Sequence, residues 1–539
     1  MKNISFKLIL FIAFLFLGIE AQAQSYFYVD IDAPAGGNGL SWSTAFNNLQ
    51  DGIDNAATAF VNNGAGIVRV SDGMYPTVNG FQLKNGVQIW GGYNARSAPD
   101  WLINATRFFN GAITIIGPDG NTGSTRQVQT NLLTRNRAFV AGEDLCDQTM
   151  LNGLRMSVNM GIRIDAYTSF SAKIINCIFD IQYYRDNTGG SYGISGQATL
   201  FNPIISECDF LLSYYSTAIS ITGNSFTSVL NPIISKTTFK NSQIRYFWHH
   251  MQSNIANITF DRCEFIDSDL DTPLTQIKVS NSTFFNLNPV IPPNAFYQFG
   301  TSSLSNTPSV IATNCTFFRS RILGNRNETF ENCIFRNITY PFPTGIFNFK
   351  NCLFDYYSFN GNLTNNSAVN VTNAIIADPQ FVTTNPVSND FLKISTNSPA
   401  RNAGNNSFIP VGIIKGYGGN SRILERTVDI GAYEFCPSLG ACRTTTTPQG
   451  GGHTPSRKMT AAIQNSEINS IVYPNPATNV LNIKSKSEII SISLLNVQGQ
   501  EVKKWNTKNK LYIGDLPIGM YLLKVNTTER IEHIRIIKE

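Results

Sequence analysis

Residues of this chain that could do chemistry are few, and one group of them is a run of carboxylates. Asp267, Asp269 and Asp271 alternate along the sequence. On an extended backbone alternate side chains point to the same face, so three carboxylates would repel one another there. Water on a solvated turn, or a hard cation such as calcium, would relieve that repulsion. The pattern favours the solvated turn, with a calcium site as the alternative.

Side chains able to act as acids or bases in catalysis are scarce. The neighbours His249 and His250 would point to opposite faces of a strand. Hydrolysis of polygalacturonate calls for clustered aspartates, but the chain has no adjacent pair of aspartates and no Gly-His-Gly segment. A polysaccharide lyase needs a Lys or Arg side chain as its base, and the Lys and Arg residues of the repeat belong to no recognisable lyase motif. The sequence therefore assigns no catalytic residue and favours a protein without enzymatic activity.

Aromatic side chains recur in pairs at a fixed distance from a repeated phenylalanine. Two tyrosines follow Phe179, two more follow Phe210 at the same offsets, and a further aromatic cluster lies beyond them. Exposed aromatic rings suit sugars, because the C–H faces of a sugar stack on a π surface. A structural ladder is the alternative, and the more favoured one. The candidate ligand-binding residues are Tyr183, Tyr184, Tyr214, Tyr215, Tyr246 and Trp248.

The elements that must position these residues form a repeat. Each repeat begins with an apolar pair and a small polar residue, followed by Cys, Ser or Thr, then any residue and then Phe. The pattern recurs between about residues 163 and 371, as in residues 174–179. The steps between successive Phe residues are irregular, which excludes helical arrays of fixed period and suits a solenoid of short strands. Because Cys and Phe stand two apart on a strand, stacked coils would place them in interior ladders.

Asparagine commonly precedes the Cys position of the repeat. Asparagine tolerates the left-handed backbone that a tight corner requires. The predicted corner residues are Asn176, Asn281, Asn314, Asn332 and Asn351. The repeat resembles the right-handed parallel β-helix of pectate-lyase-like proteins, and this resemblance implies an all-β solenoid.

Sequences on either side of the repeat complete the solenoid. Apolar residues between Trp42 and Ile53 recur at helical spacing, which predicts an amphipathic helix opened by a Ser or Thr cap. This N-terminal helical cap would shield the first strand edge. Downstream, spaced motifs over residues 376–435, ending in Val-Asp-Ile-Gly-Ala-Tyr-Glu-Phe, resemble the closing segment called the choice-of-anchor Q domain. That resemblance implies no particular activity.

The N-terminus carries the features of a secretory signal. Lysines flank the start of an apolar run over residues 8–17, which is too short to span a hydrocarbon core of about 30 Å. Ala21 and Ala23 then provide the small residues that signal peptidase requires. Cleavage is predicted between Ala23 and Gln24. No later apolar stretch reaches spanning length, so no transmembrane span is expected in the mature form.

The C-terminus resembles a sorting signal. A linker rich in Thr and Gly precedes short alternating strands, enough for a small Ig-like β-sandwich. Motifs in residues 473–477, 496–499 and 519–525 resemble, in the same order, those of the type A sorting domain of the type IX secretion system. The resemblance implies two partners, the type IX machinery and its sortase-like peptidase. It also implies that the rest of the chain is anchored at the surface or released.

Nine cysteines in an exported chain raise the question of disulfides, which oxidising compartments favour. Six of them occupy the slot two residues before the repeated Phe, where other coils carry Ser or Thr. Stacked Cβ vectors run parallel, whereas a bridge needs them to converge, so these six are predicted to be buried thiols. Cys436 and Cys442 flank a short loop that contains Pro and Gly, and they are predicted to form the one disulfide.

Together these features predict an all-β protein with a defined domain order. The predicted segments are a signal peptide (1–23), an N-terminal cap with opening coils (24–165), β-helix repeats (166–375), a closing segment (376–435), a linker (436–466) and a sorting domain (467–539). A net charge of +5 lacks the basic footprint of a nucleic-acid binder. We expect export across the outer membrane, to the cell surface or the medium.

The favoured function is that of a non-catalytic adhesin or polysaccharide-binding protein. Its expected partner is a polysaccharide or a host or other cell surface. A polysaccharide lyase, or another carbohydrate-active enzyme, is the first alternative, and a structural surface component is the second. No cofactor is expected apart from the calcium ion considered for the aspartate run.

Overall fold

The chain divides into two compact units, Met1–Arg457 and Lys458–Glu539. In the first unit the computed structural model describes residues 25–77, 79–93, 114–117, 136–181, 191–212, 216–223, 229–241, 243–248, 257–271, 276–287, 298–300, 308–322, 327–339, 345–358 and 368–436. In the second unit it describes residues 470–473, 477–485, 488–495, 501–505, 510–517, 519–528 and 531–538. The predicted signal cleavage site at Ala23 and Gln24 lies outside these residues.

One α-helix and many short strands make up the first unit. The helix is α1 (Leu49–Asn63), and 3₁₀ turns occur at Trp42–Thr44 and Asn406–Phe408. The strands, in chain order, are β1 (Ser25–Val29), β2 (Gly66–Ser71), β3 (Gly73–Pro76), β4 (Asn79–Gln82), β5 (Val87–Tyr93), β6 (Thr114–Gly117), β7 (Arg137–Ala141), β8 (Met150–Asn152), β9 (Leu154–Val158), β10 (Met160–Phe170), β11 (Lys173–Ile175), β12 (Ile178–Ile181), β13 (Tyr192–Phe201), β14 (Ile204–Ser206), β15 (Asp209–Leu212), β16 (Thr217–Gly223), β17 (Val229–Leu230), β18 (Ile233–Ser235), β19 (Thr238–Lys240), β20 (Gln243–Trp248), β21 (Asn257–Asp261), β22 (Glu264–Ile266), β23 (Asp269–Asp271), β24 (Gln276–Ser280), β25 (Thr283–Phe285), β26 (Gln298–Gly300), β27 (Pro308–Thr313), β28 (Thr316–Phe318), β29 (Arg321–Ile322), β30 (Asn327–Glu331), β31 (Ile334–Arg336), β32 (Phe347–Lys350), β33 (Leu353–Phe354), β34 (Val369–Thr372) and β35 (Ile375–Ile376).

These strands form three long parallel sheets, each of which takes one strand from successive coils. The first sheet runs β1-β2-β5-β8-β11-β14-β18-β21-β24-β27-β30-β32-β34. The second runs β3-β6-β9-β12-β15-β19-β22-β25-β28-β31-β33-β35. The third runs β4-β7-β10-β13-β16-β20-β23-β26-β29, with β17 beside β13. The prediction of a parallel β-helix is confirmed.

A column of phenylalanines fills the interior behind the second sheet. Neighbouring rings in this column stack face to face, with centroids 4.3 Å apart for Phe179 and Phe210 and 4.7 Å apart for Phe284 and Phe317. Each buried ring contributes roughly 1.5–3 kcal/mol, but only when a neighbouring coil covers it. The full column is Phe179, Phe210, Phe239, Phe265, Phe284, Phe317, Phe335 and Phe354.

The corner between the first and second sheets has the predicted left-handed backbone. All five predicted asparagines, Asn176, Asn281, Asn314, Asn332 and Asn351, have φ between 50° and 54°. In three consecutive coils a charged residue takes this position instead, Glu207, Lys236 or Arg262. The Lys236 ammonium and the Glu207 carboxylate pair at 2.5 Å across two of these coils. The corner geometry is therefore set by the stacking of coils as well as by asparagine.

The six cysteines of the repeat are buried free thiols, as predicted. They are Cys177, Cys208, Cys263, Cys315, Cys333 and Cys352. The Cys333 thiol, for example, lies 3.3 Å from the carbonyl oxygen of Glu331 and 3.3 Å from that of Ala312. Burial raises the pKa of the Cys333 thiol well above its usual range. Cys436 is disulfide-bonded, and Cys442 lies outside the described residues, so their pairing stays a prediction.

The N-terminal helical cap is present, but it begins later than the sequence pattern indicated. Trp42 lies on a 3₁₀ turn capped by Ser41, and α1 starts at Leu49 with Asn48 as its N-cap. The predicted Ser or Thr cap of the α-helix is therefore wrong, because extended chain separates the two helical segments. Buried residues of α1, including Leu49 and Ile53, pack into the solenoid core.

The closing segment, residues 376–435, lies along the outer face of the second sheet in the last coils. The Phe391 ring contacts Phe285, with centroids 4.8 Å apart. The Ala432 amide donates to the Thr316 hydroxyl at 3.0 Å, and the Gly431 amide donates to the Asn332 carbonyl at 2.8 Å. This segment therefore covers several coils from outside.

The second unit is a two-sheet β-sandwich, as predicted. Its strands are β36 (Ser470–Tyr473), β37 (Val480–Ser485), β38 (Ile489–Leu495), β39 (Glu501–Trp505), β40 (Lys510–Tyr512), β41 (Gly519–Thr527) and β42 (Ile531–Lys538). The strands form two antiparallel sheets, β36-β37-β40 and β39-β38-β41-β42. The two sheets share one core, with Leu481 and Leu511 from the first sheet and Ile492 and Leu523 from the second. No helix in the described part of the chain is long and apolar enough to span a membrane.

Candidate functional site

The predicted aromatic ladder falls largely outside the described residues. Four of the candidate residues, Tyr183, Tyr184, Tyr214 and Tyr215, lie outside the described residues. Tyr246 and Trp248 lie on β20 in the third sheet, where the backbone alone is described. Trp248 pairs in register with Thr222 of the neighbouring coil. The sugar platform therefore stays a prediction.

The aspartate run does not share one extended backbone. Asp267 has a left-handed φ of 46°, and its carboxylate accepts a hydrogen bond from the Leu287 amide at 2.8 Å. Burial raises the pKa of the Asp267 carboxyl. Asp269 and Asp271 lie on β23, and their side chains are not described. Alternation therefore holds for the last two aspartates alone, and the calcium site stays a prediction. Among the described residues, no group of three or more His, Cys, Asp or Glu could hold a metal ion.

An aromatic cluster that the sequence patterns did not predict lies at the N-terminal end of the first sheet. Tyr28, Arg69 and Trp90 occupy successive rungs of β1, β2 and β5 in parallel register. Because inward residues such as Val68 and Ile89 alternate with them, all three face outward. We call the group the aromatic–arginine cluster; its members are Tyr26, Tyr28, Trp42, Arg69, Trp90 and Tyr93.

Arg69 lies at the centre of this cluster. Its guanidinium carbon is 3.8 Å from the centroid of the Tyr26 ring, 5.6 Å from that of Tyr28 and 5.9 Å from that of Tyr93. Its Nη1 donates to the Tyr28 hydroxyl at 3.1 Å. Cation–π contacts of this kind stabilise a desolvated guanidinium and hold the rings in fixed positions. The aromatic surface is therefore rigid.

Trp42 extends the aromatic surface sideways. Its ring meets Tyr28 edge-on with centroids 5.0 Å apart, and its centroid lies 5.9 Å from that of Tyr93. A glycine-rich loop positions it: a Cβ at Gly37 would lie 2.2 Å from the Ala45 carbonyl oxygen, so only glycine fits there. The Gly39 carbonyl accepts from the Tyr28 amide at 2.8 Å, which fastens this loop to β1.

The cluster holds hydrogen-bond donors without acceptors. Within the described residues, the Trp42 Nε1 and Arg69 Nε groups are buried and have no hydrogen-bond partner. Among the described residues, Arg69 contacts three tyrosine rings and the Tyr28 hydroxyl, and no carboxylate is among these contacts. A buried donor without an acceptor costs free energy, so these two groups are held in place by the packing of the cluster. The cluster thus combines π surfaces with unused donors.

A buried polar network lies beneath the cluster and fixes its strands. The Ser71 hydroxyl donates to Asp30 at 2.8 Å and lies 2.8 Å from the Tyr75 hydroxyl. Burial raises the pKa of the Tyr75 phenol well above its usual range, so Tyr75 stays protonated. Burial also raises the pKa of Asp72. Asp30, Ser71 and Tyr75 are each nine-tenths or more buried, so this network positions β1 and β2.

Comparison with known proteins identifies the C-terminal unit. Residues 471–539 match the family model described as the secretion system C-terminal sorting domain. A type IX sorting domain is therefore present. Such a domain directs export across the outer membrane, to the cell surface or the extracellular space. The type IX secretion machinery is thus a partner of this chain.

Comparison of the whole chain adds little about function. No curated protein matches the chain. Among solved structures, the crystal structure of PfbA, a surface adhesin of Streptococcus pneumoniae, is 11% identical. The match covers 65% of this chain and 93% of that one, with a TM-score of 0.26. At that TM-score the similarity carries no argument about what this chain binds.

Proposed function

We propose that this protein is a non-catalytic adhesin or polysaccharide-binding protein, displayed or released by the type IX route. The saccharide is bound at the aromatic–arginine cluster. A sugar ring stacks on the half-buried faces of Tyr26 and Trp90, which the buried side chains of Trp42 and Arg69 hold in place from behind.

One observation carries this proposal. Six side chains, five of them aromatic, converge on one outward face around Arg69. Aromatic side chains in an ordinary core face inward, whereas Tyr28, Arg69 and Trp90 face away from the Val68 ladder. The nearby Asp30 carboxylate accepts hydrogen bonds from the Ser71 hydroxyl and the Asp32 amide. These bonds give Asp30 a structural role, and the proposal assigns it no catalytic role.

A glycan array with the purified protein tests the proposal. We expect binding to at least one polysaccharide, and the same glycans should yield no unsaturated uronate product in an ultraviolet assay. Turnover of any glycan would instead favour the lyase alternative. Absence of binding across neutral and acidic glycans would favour a structural surface component.

A further inference from the structure

The closing segment presents an apolar loop to solvent. The apolar loop is residues 408–414, with the sequence Phe-Ile-Pro-Val-Gly-Ile-Ile. Val411 is fully exposed and Ile414 is 72% exposed. Ile423, which follows Arg422 in the opposite arm of a short hairpin, is 38% exposed. Exposed apolar side chains scattered singly need no explanation, but a contiguous group marks an interaction site.

The apolar loop is held in one conformation. The Ile413 amide donates to the Pro410 carbonyl at 3.1 Å, and Gly412 has a left-handed φ of 87°, which together make a tight turn with Val411 at its corner. The Ile414 carbonyl accepts from the Arg422 amide at 2.9 Å at the base of the loop. Because the loop is already ordered, inserting it into a partner costs little conformational entropy.

Three cationic residues lie next to the apolar loop in the sequence or the fold. Lys415 follows the loop directly in the sequence. Arg426 lies near the start of the loop, because its carbonyl oxygen accepts a hydrogen bond from the Asn406 side chain at 2.8 Å. Lys350 places its ammonium 6.0 Å from the Phe408 ring centroid. Lys350 pairs with Glu331, but among the described residues no carboxylate pairs with Lys415 or Arg426. The surface around the loop is therefore suited to anionic groups.

We propose that the apolar loop inserts into a lipid surface that carries anionic head groups. Val411 and Ile414 would enter the boundary between head groups and acyl chains, while Lys415 and Arg426 would meet the anionic head groups. A protein partner would need a broad face of roughly 800 Å² on each side, whereas here the apolar residues form one projecting turn. Export to the cell surface brings the loop near such a membrane.

Vesicle co-sedimentation of the full chain tests this proposal. The probes are phosphatidylcholine vesicles with and without phosphatidylglycerol, and the variant is Val411→Ser with Ile414→Ser. A matched control, Val382→Ser with Val387→Ser, changes two other exposed valines of the same segment. We expect the loop variant to bind anionic vesicles at least about tenfold more weakly than the control, since each apolar side chain contributes about tenfold or more when buried.

Two further results are decisive. Lys415→Gln with Arg426→Gln should weaken binding to the anionic vesicles and leave binding to neutral vesicles unchanged. Equal vesicle binding by the loop variant and the control would overturn the proposal. It would also be overturned if light scattering showed a dimer of the full chain that Val411→Ser dissociates, because the occupant would then be a second copy. Unchanged circular dichroism of every variant confirms that the fold is intact.

Discussion

Arg422 holds the closing segment in its docked conformation and reaches the solenoid through Asn281, so its replacement by methionine should loosen the segment. The side chain is 1% exposed, and its guanidinium donates to the carbonyl oxygens of Asp429, Gly431 and Ala432 at 2.8–3.0 Å. It also lies 2.9 Å from the Glu434 carboxylate and reaches the Asn281 side chain of the solenoid at 3.2 Å. Methionine keeps much of the volume but none of these donors.

The magnitude follows from the groups that lose their partner. Arg422 donates to three buried carbonyls, and each buried carbonyl left unsatisfied costs about 1–3 kcal/mol before water enters. Because these losses overlap at one site, we expect the free energy of opening of the closing segment to fall by about 3–5 kcal/mol. At 1.4 kcal/mol per factor of ten, this raises the opened population by roughly two to three and a half orders of magnitude.

Amide hydrogen exchange measures this opening directly. The Gly431 amide is protected by the Asn332 carbonyl, and the Ala432 amide by the Thr316 hydroxyl, so both exchange only when the segment leaves the solenoid. Arg422→Met should accelerate both amides by at least about a hundredfold. Arg401→Met is the control, because Arg401 pairs with Glu425 at the surface, and it should change little. Exchange within threefold of the wild-type rate in Arg422→Met would refute this account of the closing segment.

Four further predictions concern other parts of the chain. Burial raises the pKa of Glu434 from 4.5 to about 8, so Glu434 keeps its proton while the closing segment is docked. The free energy of opening of the segment should therefore fall as pH rises from 4.5 to 8, and Glu434→Gln should remove this pH dependence in hydrogen exchange. Phe317→Ala removes a ring stacked in the column and should cost about 3–5 kcal/mol in denaturant unfolding. Tyr184→Ala with Tyr215→Ala should leave glycan binding at the aromatic–arginine cluster intact, and should lower the melting temperature if these rings form a structural ladder; loss of glycan binding at an unchanged melting temperature would instead place the saccharide on the tyrosine pairs. Alkylation of the denatured, unreduced protein should label the seven free cysteines and spare Cys436 and its partner; labelling of three or fewer would show a cross-linked ladder.

The solenoid could be predicted because its signal is local and repeated. Cys and Phe two residues apart, preceded by asparagine, specify one strand and one corner, and each coil restates the pattern. Asn281 and Asn332 accordingly adopt the predicted left-handed geometry. The sorting domain was predictable for a different reason, since its motifs lie close together in one short unit whose family model matches.

Contacts between distant segments could not be predicted in the same way. Arg69 and Tyr28 are 41 residues apart, and they meet because β1 and β2 pair in one particular register. Arg422 and Asn281 are 141 residues apart, and no periodicity relates them. Trp42 satisfied a helical pattern with later apolar residues, but the glycine-rich loop places it on a separate 3₁₀ turn. Local patterns thus reveal the coils, and the candidate site arises from how the coils stack.

Calorimetric titration with a glycan that binds on the array tests the central claim most directly. Tyr26→Ala with Trp90→Ala removes two rings of the aromatic–arginine cluster, and each stacked ring contributes about 0.5–1.5 kcal/mol. The account therefore predicts a dissociation constant roughly tenfold or more above that of the wild type. Tyr356→Ala with Tyr357→Ala, which removes two exposed tyrosines elsewhere, should leave the constant unchanged. Wild-type affinity in the cluster variant would contradict the claim that saccharide binds at this cluster.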